Sequence, residues 1–367
     1  MTDDQAEGDS AFVFTGDWRE FAPIAFTNLL LTIVTLGIYH FWGKARVRRY
    51  LWSNTRFIDD RLEWTGTGLE LFIGYLIAIA LFFVPFGAIN LIVQGVLLRG
   101  HAGMAGLIVF CLYIALLYLF GVAIFRALRY RLSRTFWHGI RGGSNDQGFA
   151  YGLDYFWRSI VGTLALGLMI PWSMTSLWNR RWNAMSFGPM RFSAEASWGP
   201  IFPRFMLFYI TPIILLVLVG VVAGAAVGTG ALAGISPNTP PSPGIIITFA
   251  LLGIAFYLVF FGVLGIIAMV YYSAYFREAV GSMRLGELWF AFNARTMDWV
   301  KLYLGNFALV VVTIGIGSIF LPYRNWAFFV RHMEAYGSVH LDDMTRSMTR
   351  TPGQGEGLLD ALDVGAF

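Results

Sequence analysis

Charge is scarce in this sequence. Only 13% of its 367 residues are Asp, Glu, Lys or Arg, against about 25% in a soluble domain. With 57% hydrophobic residues, that scarcity excludes an ordinary soluble globule. Cysteine is scarcer still: the single Cys111 excludes an intrachain disulfide framework and a thiolate metal centre. Motifs for chemistry are also missing. His138, His332 and His340 are scattered, and there is no HExxH helix, GxSxG elbow, phosphate-binding loop or dinucleotide fingerprint. No catalytic residue, metal or cofactor is expected. The opening residues Met1-Thr-Asp-Asp-Gln-Ala-Glu are acidic and carry no basic stretch before an apolar core, so no signal peptide is expected.

What is abundant is apolar run length. Leu71–Leu98, Met104–Phe125, Phe205–Val227 and Gly244–Tyr272 each exceed the roughly 20 residues that cross a bilayer. They form two pairs. Arg99-Gly-His101-Ala-Gly103 joins the first, and a neutral proline-rich loop at 235–243 joins the second. These runs hold almost no ionisable side chains, which argues against a carboxylate proton relay.

Three further apolar stretches, Phe21–Trp42, Phe156–Trp178 and Tyr303–Phe320, are broken by similar tripeptides: Thr35-Leu36-Gly37, Ala165-Leu166-Gly167 and Thr313-Ile314-Gly315. Acids precede them, at Asp17 and Glu20, Asp154 and Asp298, where a carboxylate can cap a helix start. The matched spacing points to an internally repeated chain. The expected organisation is a disordered acidic N-terminus at 1–11 and a first repeat at 12–142. A second repeat follows at 143–293, then a third, partial repeat at 294–344 and a mostly disordered tail at 345–367. Gly357–Val364 has the pattern of a short amphipathic helix.

A basic segment followed by short aromatic alternation recurs five times, at 46–66, 129–142, 180–192, 277–292 and 331–341. The alternation in Phe12-Val-Phe14, Leu62-Glu-Trp64, Met190-Arg-Phe192 and Leu288-Trp-Phe290-Ala-Phe292 suits half-buried strands, and equally suits interfacial aromatic anchors. If all seven apolar stretches crossed, Arg180, Arg181, Arg191, Arg204, Arg277, Arg284 and Arg295 would face outside. If the three broken stretches enter and leave by one face, only Arg99 of 26 Lys and Arg residues does. The positive-inside rule prefers the second arrangement. A seven-span bundle stays as the alternative, because each stretch is long enough. The expected fold class is thus an all-α polytopic membrane protein with internal repeats. It has four long transmembrane helices in two pairs, three Gly/Pro-broken re-entrant or spanning helices, and short cytoplasmic β-strands.

The residues carrying a wider resemblance are Phe12-Val-Phe14-Thr-Gly16, Asn28-Leu-Leu, Thr35-Leu-Gly-Ile-Tyr39, Trp42 to Arg49, Asn54-Thr55-Arg56, Thr135-Phe-Trp137-His-Gly139-Ile-Arg141 and Ala165-Leu-Gly to Pro171-Trp172. Over residues 12 to 343 the chain resembles the YjgN-like family of bacterial inner-membrane proteins. The resemblance implies a multi-pass bacterial inner-membrane protein and implies no biochemical activity. Ser133-Arg134-Thr135 and Ala184-Met-Ser186 depart from the Asn-Thr pair of the first copy.

Four sets of candidate residues stand against plain structural readings. Asn90 and Gln94 follow Pro85, which should kink its helix; with Asn28 and Asn306 they could line a polar cavity, or simply bond helices together. Arg46, Arg48, Arg49 and Arg56 suit anionic headgroups, or serve only as topogenic charge. Gly220, Gly224 and Gly228 form a stripe suited to helix packing or a homo-oligomer. His40 is either a solvated interfacial side chain or a titrating one. The expected partners are membrane lipids, anionic ones in particular, and a second copy of the chain. Nucleic acid is not expected, because the basic segments lie too close to the apolar runs. The sequence reads as a non-enzymatic inner-membrane protein with a basic, lipid-facing cytoplasmic side and both termini cytoplasmic. The alternative is a transporter or channel for a small solute.

Overall fold

The computed structural model describes residues 11–228, 243–337 and 349. Four of its helical stretches are long and apolar enough to cross a membrane: Gly68–Leu98, Ala102–Ser133, Phe202–Ala225 and Pro243–Gly281. These match the four long runs. The chain forms two compact units, residues 1–197 with 279–293 and 302–367, and residues 198–278 with 294–301. The Gly357–Val364 segment, the 235–243 loop and nearly all of both termini lie outside the described residues.

The first unit begins with β1 (Phe12–Phe14), α1 (Trp18–Val34) and α2 (His40–Ser53), then β2 (Thr55–Phe57), β3 (Asp60–Arg61) and β4 (Glu63–Trp64). Next come α3 (Gly68–Ala78), a π-helical turn at Ile79–Phe83, and α4 (Val84–Leu98). The wide turn ends just before Pro85, where the Val84 amide reaches back to the Ile79 carbonyl. A proline ring clashes with the carbonyl four residues earlier, and one loose turn relieves this. α5 (Ala102–Ser133), β5 (Thr135–Trp137), β6 (Ile140–Gly143), α6 (Phe149–Thr163), α7 (Ile170–Trp182), β7 (Ser186–Phe187) and β8 (Met190–Ala194) follow.

The second unit contains α8 (Phe202–Phe205), α9 (Leu207–Gly228) and most of α10 (Pro243–Gly281). Phe205 and Phe208 both meet the Tyr271 ring. The Arg277 guanidinium donates to the Ala294 carbonyl at 2.8 Å. The chain continues through β9 (Met283–Leu285), β10 (Leu288–Phe292), α11 (Thr296–Val312), α12 (Leu321–His332) and β11 (Met333–Tyr336).

An all-α expectation is too narrow. β4 to β11 form one eight-stranded sheet in chain order, with every neighbouring pair antiparallel. β1, β2 and β3 form a second, smaller sheet. The aromatic segments expected as strands are strands, and the strands they pair with are only two to four residues long. Turn geometry holds them. Ile58-Asp59, His138-Gly139, Gly188-Pro189 and Gly286-Glu287 each close a hairpin over two residues. The first residue of each turn has φ between 49° and 59°, which matches the strand twist.

Asp17 caps α1, accepting from the Arg19 amide. Asp298 accepts from the Arg295 amide at 2.9 Å in the first turn of α11. Asp154 is not a cap. It lies inside α6, whose start is served instead by Asp146, which accepts from the Gly148 amide.

Candidate functional site: helical hairpins and a basic pocket

Each Gly-broken stretch is a helical hairpin, its two arms tied by polar groups. In the first, Asn28 on α1 donates to the Gly43 carbonyl on α2 at 3.1 Å and accepts from Arg46 at 3.3 Å. In the third, Asn306 on α11 donates to Asn325 at 2.9 Å and accepts from Arg324 on α12 at 2.6 Å. Both Asn–Arg pairs are 18 residues apart in sequence. In the second hairpin Asp154 on α6 accepts from Arg180 on α7 at 2.7 Å, and Arg158 donates to the Ser176 carbonyl at 2.9 Å.

The tips follow one design. Thr35 donates to the Leu31 carbonyl at 2.7 Å and accepts from the Tyr39 amide at 2.9 Å. Thr313 does the same with the Leu309 carbonyl and the Gly317 amide, both at 2.6 Å. One hydroxyl thus closes the first arm and starts the second. All three tips, the second with Ala165 in place of the threonine, have a left-handed residue next: Leu36, Leu166 and Ile314 have φ of 50°, 59° and 51° and precede Gly37, Gly167 and Gly315, which are also left-handed. Among the described residues, five non-glycine positions have positive φ. Three are these tips and two are the sheet turns at Ile58 and His138. The tip side chains are 94%, 88% and 92% exposed.

A cavity of about 660 Å³ opens between the first and third hairpins. α1 contributes Asn28, Leu29 and Thr32; α2 contributes His40, Lys44, Arg48 and Trp52; α5 contributes Arg131. Ser318, Asn325, Trp326 and Phe329 line it from the third hairpin. Trp52 and Trp326 stack at 4.0 Å. Their indole N–H groups donate to Thr135 and Thr55. Arg48 is buried, its guanidinium 5.0 Å from the Trp64 ring centre.

The expected site residues divide accordingly. Asn28 and Asn306 are buried in matching braces, and Asn28 also reaches the cavity. Asn90 and Gln94 are exposed on α4, where Gln94 donates to Asn90 at 3.0 Å. Neither of these two is among the described residues that line the cavity. Nor do the four arginines share one face. Arg46 and Arg49 are exposed, Arg48 lines the cavity, and Arg56 sits half-buried in β2. Gly220 and Gly224 have open space where a Cβ would go, and the surroundings of Gly228 lie outside the described residues. Gly121 and Gly152 are among the glycines that admit close helix packing. A Cβ at Gly121 would lie 2.5 Å from the Tyr155 Cβ, and one at Gly152 would lie 2.5 Å from a Val122 methyl.

Arg324, Asn325, Arg131 and the tryptophan pair were missed. Arg324 had a readable signal: it follows Asn306 at the interval by which Arg46 follows Asn28. Arg131 had none, because only folding brings α5 to the cavity.

Four helices long and apolar enough to cross a membrane, with basic helix ends running into short strands, fit a mostly helical membrane protein as the class. The chain belongs to the family described as bacterial protein of unknown function (DUF898), whose profile matches residues 9–361. It is 31% identical over 131 residues to inner membrane protein YjgN of Salmonella typhimurium, covering 36% of this chain and 30% of that one. It is 31% identical over 135 residues to the protein of that name from Escherichia coli O157:H7, covering 37% and 31%. The K12 protein matches at 36% over 73 residues, covering 20% and 18%. The match thus spans a third or less of the length of these relatives. No solved structure matches. The YjgN-like resemblance holds, and the relatives' names together with the four apolar helices fit an inner-membrane protein.

Proposed function

We propose that this chain is a non-enzymatic, lipid-organising inner-membrane protein. Four helices cross the bilayer. Three hairpins dip into it from the cytoplasmic face and return, and the basic helix ends meet anionic headgroups there. Both termini lie on that side, and the hairpins are repeats of one element. The observation that carries the reading is the set of tips at Leu36, Leu166 and Ile314. A left-handed non-glycine residue costs about 1–3 kcal/mol and marks a functional constraint. An exposed aliphatic tip gains nothing in water to offset that. Moved into hydrocarbon, each side chain gains about 1.5–3 kcal/mol, so insertion balances the strain. Antiparallel arms support entry and exit by one face, and the polar braces sit away from the tips. Under this topology only Arg99 of 26 Lys and Arg residues faces the periplasm. Transport draws no support from Asn90 and Gln94, which bond to each other on an exposed face of α4.

Spin labels at Leu36→Cys, Leu166→Cys and Ile314→Cys, in a Cys111→Ser background, test the reading. In proteoliposomes containing phosphatidylglycerol, the labels are expected to be accessible to oxygen and shielded from a water-soluble nickel chelate. Accessibility to the chelate at two or more tips would overturn it.

A further inference from the structure

The three hairpins are matched in depth, which extends the insertion reading above and rests on it. Each tip follows a brace residue by eight positions: Leu36 after Asn28, Leu166 after Arg158, and Ile314 after Asn306. Eight residues of helix rise at most about 12 Å, just short of half the roughly 30 Å hydrocarbon core. No Asp, Glu, Lys or Arg lies between brace and tip in any of the three. Exposed apolar side chains mark that stretch instead: Leu30 and Val34 in the first, Ile160 and Leu164 in the second, Phe307 and Val312 in the third. Each brace also carries an arginine. Arg46 donates to Asn28, Arg324 to Asn306, and Arg158 to the Ser176 carbonyl. A charged side chain is expensive inside the bilayer. The braces therefore stay at the surface, and the arms sink no further than the apolar stretch allows.

We infer that the three hairpins act as a wedge confined to the cytoplasmic leaflet, so that the protein favours and stabilises membrane that is convex toward the cytoplasm. Each hairpin brings two arms into that leaflet, and each helix is about 10–12 Å across. The opposite leaflet receives none of these arms, because the tips stop near the midplane. Lipid is displaced on one side only, and bending toward the cytoplasm relieves the mismatch in area. Equal depth is what such a device requires, since a hairpin reaching through the bilayer would displace lipid on both sides. Apolar helix faces that enter only the headgroup and acyl boundary bind in a curvature-sensitive way. Here the same asymmetry is built into a chain that spanning helices anchor.

Membrane tubes pulled from giant vesicles of phosphatidylethanolamine and phosphatidylglycerol, carrying the full chain, test this. A dye attached from outside by an impermeant maleimide, on Glu287→Cys in a Cys111→Ser background, marks molecules whose cytoplasmic face points outward. Marked molecules are expected at higher density in the tube than in the vesicle wall, with the ratio rising as the tube narrows. A ratio of one or less at every tube width overturns the wedge. Leu36→Asn, Leu166→Asn and Ile314→Asn together remove the apolar tips with a residue that tolerates left-handed backbone. The melting temperature in detergent should not fall, and the tube enrichment should drop to near one, with each single replacement removing part of it. Enrichment kept at the wild-type value by the triple variant overturns the wedge as its cause. Spin labels at the same three positions separate this inference from the reading beneath it. Labels shielded at mid-membrane depth, without tube enrichment, overturn the wedge and leave the inserted hairpins standing. Labels reached by the water-soluble chelate overturn both.

Discussion

Thr35 and Thr313 each join two helices through one hydroxyl, as donor to a carbonyl behind and acceptor from an amide ahead. Thr35→Val or Thr313→Val keeps the shape and removes both bonds. We expect a loss of about 0.5–2 kcal/mol each, the usual cost of a lost cap, with Ser restoring most of it; thermal melting in detergent measures it. Asn306 and Arg324 should be coupled more strongly than Asn28 and Arg46, since their contact is 2.6 Å against 3.3 Å and Arg46 is exposed. A double-mutant cycle with Ala should give a coupling of about 0.5–3 kcal/mol for the former; a coupling at zero would mean the contact contributes nothing. His138 lies 2.9 Å from Asp59, and that hydrogen bond is the main cause holding the Asp59 carboxyl below its ordinary range. A carboxyl lowered by folding adds stability above its unfolded pKa, near 3.9. It loses that stability as pH falls through the lower folded value. The contribution is full at neutral pH and disappears below about pH 4. His138→Gly removes the partner and suits the positive φ. It should therefore flatten the melting temperature's decline below about pH 4. An unchanged acid limb would refute this role for the pair.

At the scale of elements, the helical hairpins and β-hairpins were legible to different degrees. The breaks were visible because threonine or alanine, an aliphatic residue and glycine recur together. What they do was not, since a break can kink a spanning helix or reverse it. The reversal is decided by Asn28 with Arg46 and Asn306 with Arg324, contacts between arms that no local pattern specifies. The sheet was half legible for a similar reason. Phe12, Trp64, Phe192 and Phe290 alternate strongly, whereas Ser186-Phe187 is too short to show a period. Glycine was the least legible. The stripe at Gly220 and Gly224 faces open space, while Gly121 and Gly152 form a reciprocal notch between α5 and α6. Gly121→Leu must push Tyr155 aside. Overpacking of this kind costs about 1–3 kcal/mol, and the melting temperature should fall accordingly, whereas Gly224→Leu should leave that of the monomer unchanged.

The whole molecule turns on sidedness. Ser193 in β8 and Glu287 in the β9–β10 turn are exposed, as is His101 between α4 and α5. In a Cys111→Ser background, Ser193→Cys and Glu287→Cys should react with an impermeant maleimide only from the cytoplasm, and His101→Cys only from the periplasm. Periplasmic labelling of Ser193→Cys would mean that the second hairpin spans, and would restore a seven-span arrangement.

Composition and run length alone determined that this is a membrane protein with four long apolar helices, because hydrocarbon admits only long apolar segments whose backbone is internally bonded. The recurring basic ends and Gly breaks determined where the chain changes direction. Only the tertiary structure decided the rest: that three broken stretches double back, that strands from five separate segments join in one sheet, and that Lys44, Arg48 and Arg131 share a cavity. Those outcomes depend on contacts between residues far apart in the chain, and sequence periodicity reports only which face of an element is apolar, not what will cover it.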